Sequence, residues 1–269
     1  MTSFKHALKR QNDLFIPFIT AGDPSEEATI GLAKVLQDEG ADILELGIPY
    51  SDPLADGPVI QEGSARALAG GMTLTKAMKL VSKMRASGVE IPVVIFTYYN
   101  PVLQLGEERF FALARENQVD GVLVPDLPFE ESHDFKKACR ANDLALISLV
   151  APTSKKRVEL VAKEADGFLY CVSSLGVTGE RASFSEEIGQ FLTDAKTHSS
   201  VPVAVGFGVS TKEQATAFLE LCDGVVIGSA IVRKIGELQS LFENSETLSE
   251  GLEEFRRFIT SIVPVKSNV

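Results

Sequence analysis

Residues 41–48, Ala41-Asp42-Ile43-Leu44-Glu45-Leu46-Gly47-Ile48, decide the fold. Apart from its two acids the run is apolar on both faces, as a strand reads when it lies in a parallel sheet covered by helices. Upstream, Ser25 stands as a capping residue ahead of a helical pattern over residues 26–39, and Gly40 closes it. The same unit recurs along the chain. Strands are predicted at 14–20, 42–47, 92–97, 121–125, 145–150, 167–172, 202–206 and 224–227. Between them helical patterns occupy 26–39, 75–87, 107–117, 131–141, 154–164, 186–196 and 211–221. Ser25, Ser132, Thr153 and Ser210 read as helix caps, while Gly40, Gly88, Asp120, Asn142, Asp166 and Asp223 mark junctions into strands. Eight strand–helix units predict an α/β protein, a single (β/α)8 TIM barrel over residues 1–269 with an extra N-terminal helix. An open, doubly wound sheet is the alternative.

The 269 residues, 45% hydrophobic and 23% charged, suffice for one such barrel without a disulfide or metal staple. Lysine and arginine number 26 against 37 acids, a net charge of −11, which argues against nucleic acid or an anionic membrane as partner. Cys139, Cys171 and Cys222 are an odd, widely spaced set, which suits a reducing cytoplasm better than a disulfide framework. The first apolar run, residues 14–19, contains Pro17 and is too short for a signal or a membrane span.

The loops after strands 2 and 6 are longer than the rest. They read GIPYSDPLADGP (47–58) and SSLGVTGERASFS (173–185), and both begin at the barrel face where active sites are built. Period-2 alternation turns Leu44, Leu46 and Ile48 toward the helices and Ile43, Glu45 and Gly47 into the barrel. No Lys or Arg lies in any predicted strand to pair with Glu45. Its carboxyl is either a satisfied core group or a general acid/base with a pKa raised by desolvation. Asp56, bracketed by Pro53 and Pro58, offers a second carboxylate, although Asp-Gly is also an ordinary turn pair. Tyr170 shares a face of strand 6 with Phe168 and Val172, either as an inward phenol or as packing. Gly206, Gly208 and Gly228, with Ser229, end strands 7 and 8. Loops there form the recurrent phosphate site of this barrel, and Gly176 to Gly179 could add donors, though such glycines also make tight turns. No dinucleotide fingerprint or P-loop occurs. His6, His133 and His198 fall in helical stretches and no lysine ends a strand, which argues against a histidine metal site and a Schiff base. The six glutamates of residues 236–262 read as a solvated outer face. These features describe a metal-free barrel that binds a phosphorylated substrate and moves protons with carboxylates.

The run LELGIPYSDPLADGPVIQ (44–61) resembles the signature of the tryptophan synthase alpha subunit family. Supporting matches are PFITAGDP (17–24), VLVPDLPFEES (122–132), LGVTG (175–179), VAVGFGVS (203–210) and VVIGSAIV (225–232), in the family order. The resemblance implies reversible retro-aldol cleavage of indole-3-glycerol phosphate to indole and glyceraldehyde 3-phosphate. It assigns catalysis to Glu45, Asp56 and Tyr170, and phosphate binding to Gly179, Gly208, Gly228 and Ser229 with Phe207 beside them. Phe18, Phe96 and Leu123 would line the indole pocket, Phe96 being aromatic where some relatives are aliphatic. It further implies a cytoplasmic enzyme with no cofactor of its own, paired in an α2β2 assembly with a pyridoxal-phosphate-dependent beta subunit. Pro49, Asp52 and Pro53 would lie in the contact. A stand-alone lyase, or an idle barrel kept as a regulatory partner of a beta subunit, are the other readings.

Overall fold

The computed structural model describes Phe4, Leu8 and residues 11–152, 154–172, 186–206 and 208–264. Eight parallel strands close into a barrel in sequence order, each paired with its neighbours and β8 with β1. In chain order the elements are β1 (Leu14–Thr20), α1 (Glu26–Asp38), β2 (Leu44–Gly47), α2 (Pro58–Ala69) and α3 (Leu74–Ala86). Then come β3 (Val93–Phe96), α4 (Tyr99–Leu105), α5 (Glu107–Glu116), β4 (Gly121–Leu123), α6 (His133–Ala141), β5 (Ala145–Val150) and α7 (Lys155–Lys163). The chain continues with β6 (Leu169–Val172), α8 (Glu186–His198), β7 (Val203–Gly206), α9 (Lys212–Leu219) and β8 (Gly224–Ile227). It ends with α10 (Ser229–Glu237), α11 (Gln239–Phe242) and α12 (Leu248–Ile262). The closed barrel is the expected one, and the open sheet is excluded.

Alternation along the strands divides the buried side chains into two cores. Leu14, Ile16, Ile43, Val94, Ile147 and Phe168 fill the barrel. Phe15, Leu44, Leu46, Val93, Ile95 and Val122 face outward into the layer beneath the helices. Phe4 and Leu8 join the inner cluster, and Leu8 donates its N–H to Phe4 O at 3.1 Å. The rest of the expected N-terminal helix lies outside the described residues, as does the loop 173–185.

The acids at the strand junctions do more than mark turns. Asp42, Asp120 and Asp223 accept N–H groups at the starts of adjacent strands, from Phe15 at 2.9 Å, Val93 at 2.8 Å and Val203 at 2.9 Å. Strand ends whose amides would otherwise be buried unpaired are thereby satisfied.

Some expectations shift. The loop after β2 contains a helix, α2, which Gly57 and Pro58 start because proline at the first helical position forfeits only an amide that is unpaired anyway. Ser25 caps α1 by accepting the Ala28 N–H at 3.1 Å, but the cap of α9 is Thr211 rather than Ser210. Ser132 makes no cap bond, its hydroxyl donating to Phe129 O instead, and Thr153 lies outside the described residues. Nor is the C-terminal region only a solvated face, because Phe255, Ile259 and Ile262 of α12 are buried.

Candidate active site

Glu45 is paired in register with Phe18 of β1 and Val94 of β3. Its side chain points into the barrel and is 1% exposed. One carboxyl oxygen, Oε1, is buried with no hydrogen-bond partner. Burial alone pushes this carboxyl up to about 8, so it holds its proton at neutral pH. A satisfied core glutamate would be bonded at both oxygens. Glu45 is therefore a neutral acid with one oxygen available.

Two glycines make room for the aromatic walls. A Cβ on Gly47 would stand 2.3 Å from the Phe18 ring, and one on Gly206 would stand 2.3 Å from the Tyr170 hydroxyl oxygen. Phe18 meets Phe96 edge-to-face, with ring centroids 5.5 Å apart and planes at 86°. Tyr170 is inward as expected, and burial, with the Glu45 charge adding to it, raises its phenol well above the usual range. It is an uncharged hydroxyl facing the same space as Glu45.

That space is a cavity of about 640 Å³ at the C-terminal mouth, within the size range of small-molecule sites. Glu45, Asp56, Tyr170, Phe18 and Phe96 line it, with Gly208, Gly228 and Ser229. Asp56 is carried by the loop that leads into α2, and burial raises its carboxyl while a hydrogen bond from Tyr98 lowers it. Gly208 has φ of +70°, which favours glycine, and Gly228 precedes the first turn of α10, where free backbone N–H groups suit an anion.

Leu123 does not reach the cavity. It is fully buried in the inner core, and Pro125 lines the wall on that side. Gly179 and Phe207 lie outside the described residues. Asp52 is exposed, Pro53 half-buried and Pro49 buried. Two residues escaped the sequence reading. Tyr98, 2% exposed, accepts the Ala55 N–H at 3.0 Å, and its place two residues beyond Phe96 was the available signal. Arg157 is the one cation lining the cavity among the described residues, and it pairs with Glu130. Its signal was a run of cations, Lys155-Lys156-Arg157, in the first turn of α7, where the helix dipole favours acids.

Among the described residues no group of three or more His, Cys, Asp or Glu could hold a metal ion, and none has a helix long and apolar enough to cross a membrane. The closed barrel, with a neutral buried acid and a second carboxyl over a glycine-edged mouth, defines a (β/α)8-barrel protein with a candidate acid–base site at its C-terminal mouth.

Comparison with known proteins narrows this class. The profile of the tryptophan synthase alpha chain family matches residues 4–260. The alpha chain of Geobacillus sp. strain WCH70 is 61% identical over 93% of this chain and 95% of its own length. That of Bacillus subtilis strain 168 is 55% identical over 95% and 96%. Among solved structures, a chain from the tryptophan synthase α2β2 complex of Pyrococcus furiosus superposes with a TM-score of 0.84 at 37% identity, covering 94% of this chain and 98% of that one. The alpha subunit from Legionella pneumophila gives 0.82 at 34% identity, covering 96% and 99%. The chain belongs to the tryptophan synthase alpha chain family.

Proposed function

We propose that this chain, acting as one domain in the cytoplasm, is a carbon–carbon lyase that reversibly cleaves indole-3-glycerol phosphate to indole and glyceraldehyde 3-phosphate. The observation that carries the reading is Glu45, an acid kept protonated to about pH 8 by burial, with an unpartnered oxygen in an aromatic-walled cavity. Cleaving the bond at C3 of indole requires first protonating that carbon. Glu45 donates the proton, and the ring becomes a cation that Asp56 offsets by accepting a hydrogen bond from the indole N–H. The Glu45 carboxylate then takes the proton of the hydroxyl on the adjoining side-chain carbon. The O–H electrons form the aldehyde C=O, the C–C electrons return to the ring, and Glu45 is protonated again. Tyr170 contributes a neutral hydroxyl beside it. Phe18 and Phe96 fit the flat apolar ring, while Gly208, Gly228 and Ser229, with Gly179 and Phe207, would hold the phosphate as a remote handle.

The mechanism uses no cofactor of this chain; pyridoxal phosphate would belong to a beta subunit that consumes the indole. Leu54, in the loop that carries Asp56, is 83% exposed, which suits a mouth covered by a partner better than a stand-alone lyase. The α2β2 neighbour from Pyrococcus furiosus supports the same pairing, with Asp52 and Pro53 in the contact.

The test is indole release from indole-3-glycerol phosphate by the purified chain, with and without a matching beta subunit. Slow release that rises sharply on adding beta supports the reading. Fast release unchanged by beta points to the stand-alone lyase, and no release in either case rejects the reaction.

A further inference from the structure

Tyr98 follows β3 at the mouth, but it does not line the cavity and so does not touch a ligand there. Its hydroxyl is turned instead to the loop after β2. The oxygen accepts the Ala55 N–H at 3.0 Å, across 43 residues of sequence, and the same hydroxyl lies beside the Asp56 carboxyl and favours its charged form. One phenol thus meets two successive residues of the segment that carries the second carboxyl of the site.

The phenol is itself held from several sides. Its ring lies against Tyr50, with centroids 5.2 Å apart and planes at 32°. The Tyr50 hydroxyl oxygen accepts a hydrogen bond from Asn100 Nδ2 at 3.0 Å. The next residue, Tyr99, donates its N–H to Asp126 Oδ1 at 2.9 Å. Loops after β2, β3 and β4 are therefore joined around Tyr98. A hydroxyl that accepts an amide proton is polarised into a better donor, and a carboxylate that receives a hydrogen bond is favoured in its charged form.

We propose that Tyr98 is the positioning residue for Asp56, holding the loop that carries it over the mouth through the Ala55 amide, with the same hydroxyl turned to the Asp56 carboxyl. The proposal rests on the role given above to Asp56. The prolines around Asp56 limit the loop's freedom, and among the described residues Tyr98 is the one whose hydroxyl favours the charged carboxylate. Glu45 on β2, Tyr170 on β6 and Arg157 on α7 share the cavity with Asp56. Burial works against the charge of Asp56 and the Tyr98 hydroxyl sustains it.

Tyr98→Phe removes one oxygen and keeps the ring. In the complex with a beta subunit, kcat for indole-3-glycerol phosphate should fall by about 10- to 100-fold, the worth of a hydrogen bond to a charged group. KM should stay within about threefold, because the phosphate handle and aromatic walls are untouched. The acid limb of the pH profile should move to higher pH, since Asp56 loses a bond that favours its charged form. A role in packing alone would lower stability without moving that limb. The Asp56 carboxyl is also followed by ¹³C NMR in the isolated chain without substrate, its signal assigned with Asp56→Asn. Its titration should rise in Tyr98→Phe and fall when 3-fluorotyrosine, a stronger donor, is placed at position 98. An unmoved Asp56 titration in either variant, or kcat within about threefold with an unshifted acid limb, overturns the proposal. If the wild-type chain cleaves no indole-3-glycerol phosphate, the reaction is wrong, and the carboxyl titration still decides whether Tyr98 controls Asp56.

Discussion

Glu45→Gln should make this protein more stable and inactive at once. The carboxyl titrates near 4.5 in an unfolded chain and is pushed up to about 8 in the barrel. Between those values the folded state holds a proton that the unfolded state has released, so stability falls as pH rises. The destabilisation is nearly absent at or below pH 4.5, grows through neutral pH and levels off above 8. At 1.36 kcal/mol per pH unit, the gap corresponds to about 1 kcal/mol at pH 5, about 3 at pH 7 and nearly 5 at pH 9. Glutamine matches the neutral carboxyl in shape and never ionises, so it escapes this loss. Groups common to both proteins cancel in the difference.

The assay is urea unfolding of wild type and variant at pH 5, 7 and 9, with the free-energy difference read at each. The variant should gain on the wild type with every step, while indole release falls to background because an amide neither protonates carbon nor takes the proton of a hydroxyl. The kcat/KM of the wild type should decline above about pH 8 as Glu45 loses its proton. A stability difference that stays constant across the three pH values refutes the assignment of Glu45 as a neutral buried acid. A variant keeping a tenth of the wild-type kcat refutes its role as proton donor. Were Glu45 a structural residue, removing its charge would lower stability at neutral pH, so the sign separates the two cases.

Gly47→Ala puts a methyl group 2.3 Å from the Phe18 ring and should cost about 1–3 kcal/mol from overpacking. The same change in a Phe18→Ala background should cost almost nothing, and equal costs in the two backgrounds would show that the contact is not the cause. Arg66 holds the fully buried Asp23 through two bonds of 2.7 and 2.8 Å, so Arg66→Met should lose about 3–5 kcal/mol at pH 7. Burial already raises Asp23 and Arg66 counteracts it; without the guanidinium the folded value climbs further, and the deficit should shrink on acidification toward pH 4. A deficit independent of pH would count against an unpaired charge. Thr211→Ala should cost about 1 kcal/mol in thermal or urea unfolding, and more than Ser210→Ala, because Thr211 accepts the Gln214 N–H; the reverse order would return the cap to Ser210.

The barrel was legible in the sequence because its signal repeats eight times and each repeat is local. Glu45 was legible for a related reason: in a strand buried on both faces, parity alone settles which side chains enter the barrel, and the leucines fix that parity. Helix α2 was hidden because Pro58 reads first as a loop residue, and its apolar positions are few. Thr211 was passed over for Ser210, although Thr211 with Gln214 has the spacing of a capping box.

Height within the barrel is a different matter from parity. Phe96 and Leu123 are neighbours in register and both point inward, yet only Phe96 reaches the cavity, and Pro125 fills the wall where Leu123 was expected. Strands in a closed barrel are tilted, so residues paired across a ladder stand at different heights along the axis. Alternation carries no information on that stagger. Asp56 poses the same difficulty in stronger form. Its loop composition shows that the segment is irregular and stiff, but the hydroxyl that anchors it, at the Ala55 amide, comes from Tyr98 on another strand's loop. Such a partner becomes identifiable only once closure has brought β2 and β3 side by side. The acid built into a strand could be read from one segment, whereas the carboxylate held over it depends on two segments meeting, which is why Tyr98 is the residue whose alteration most directly separates fold from chemistry here.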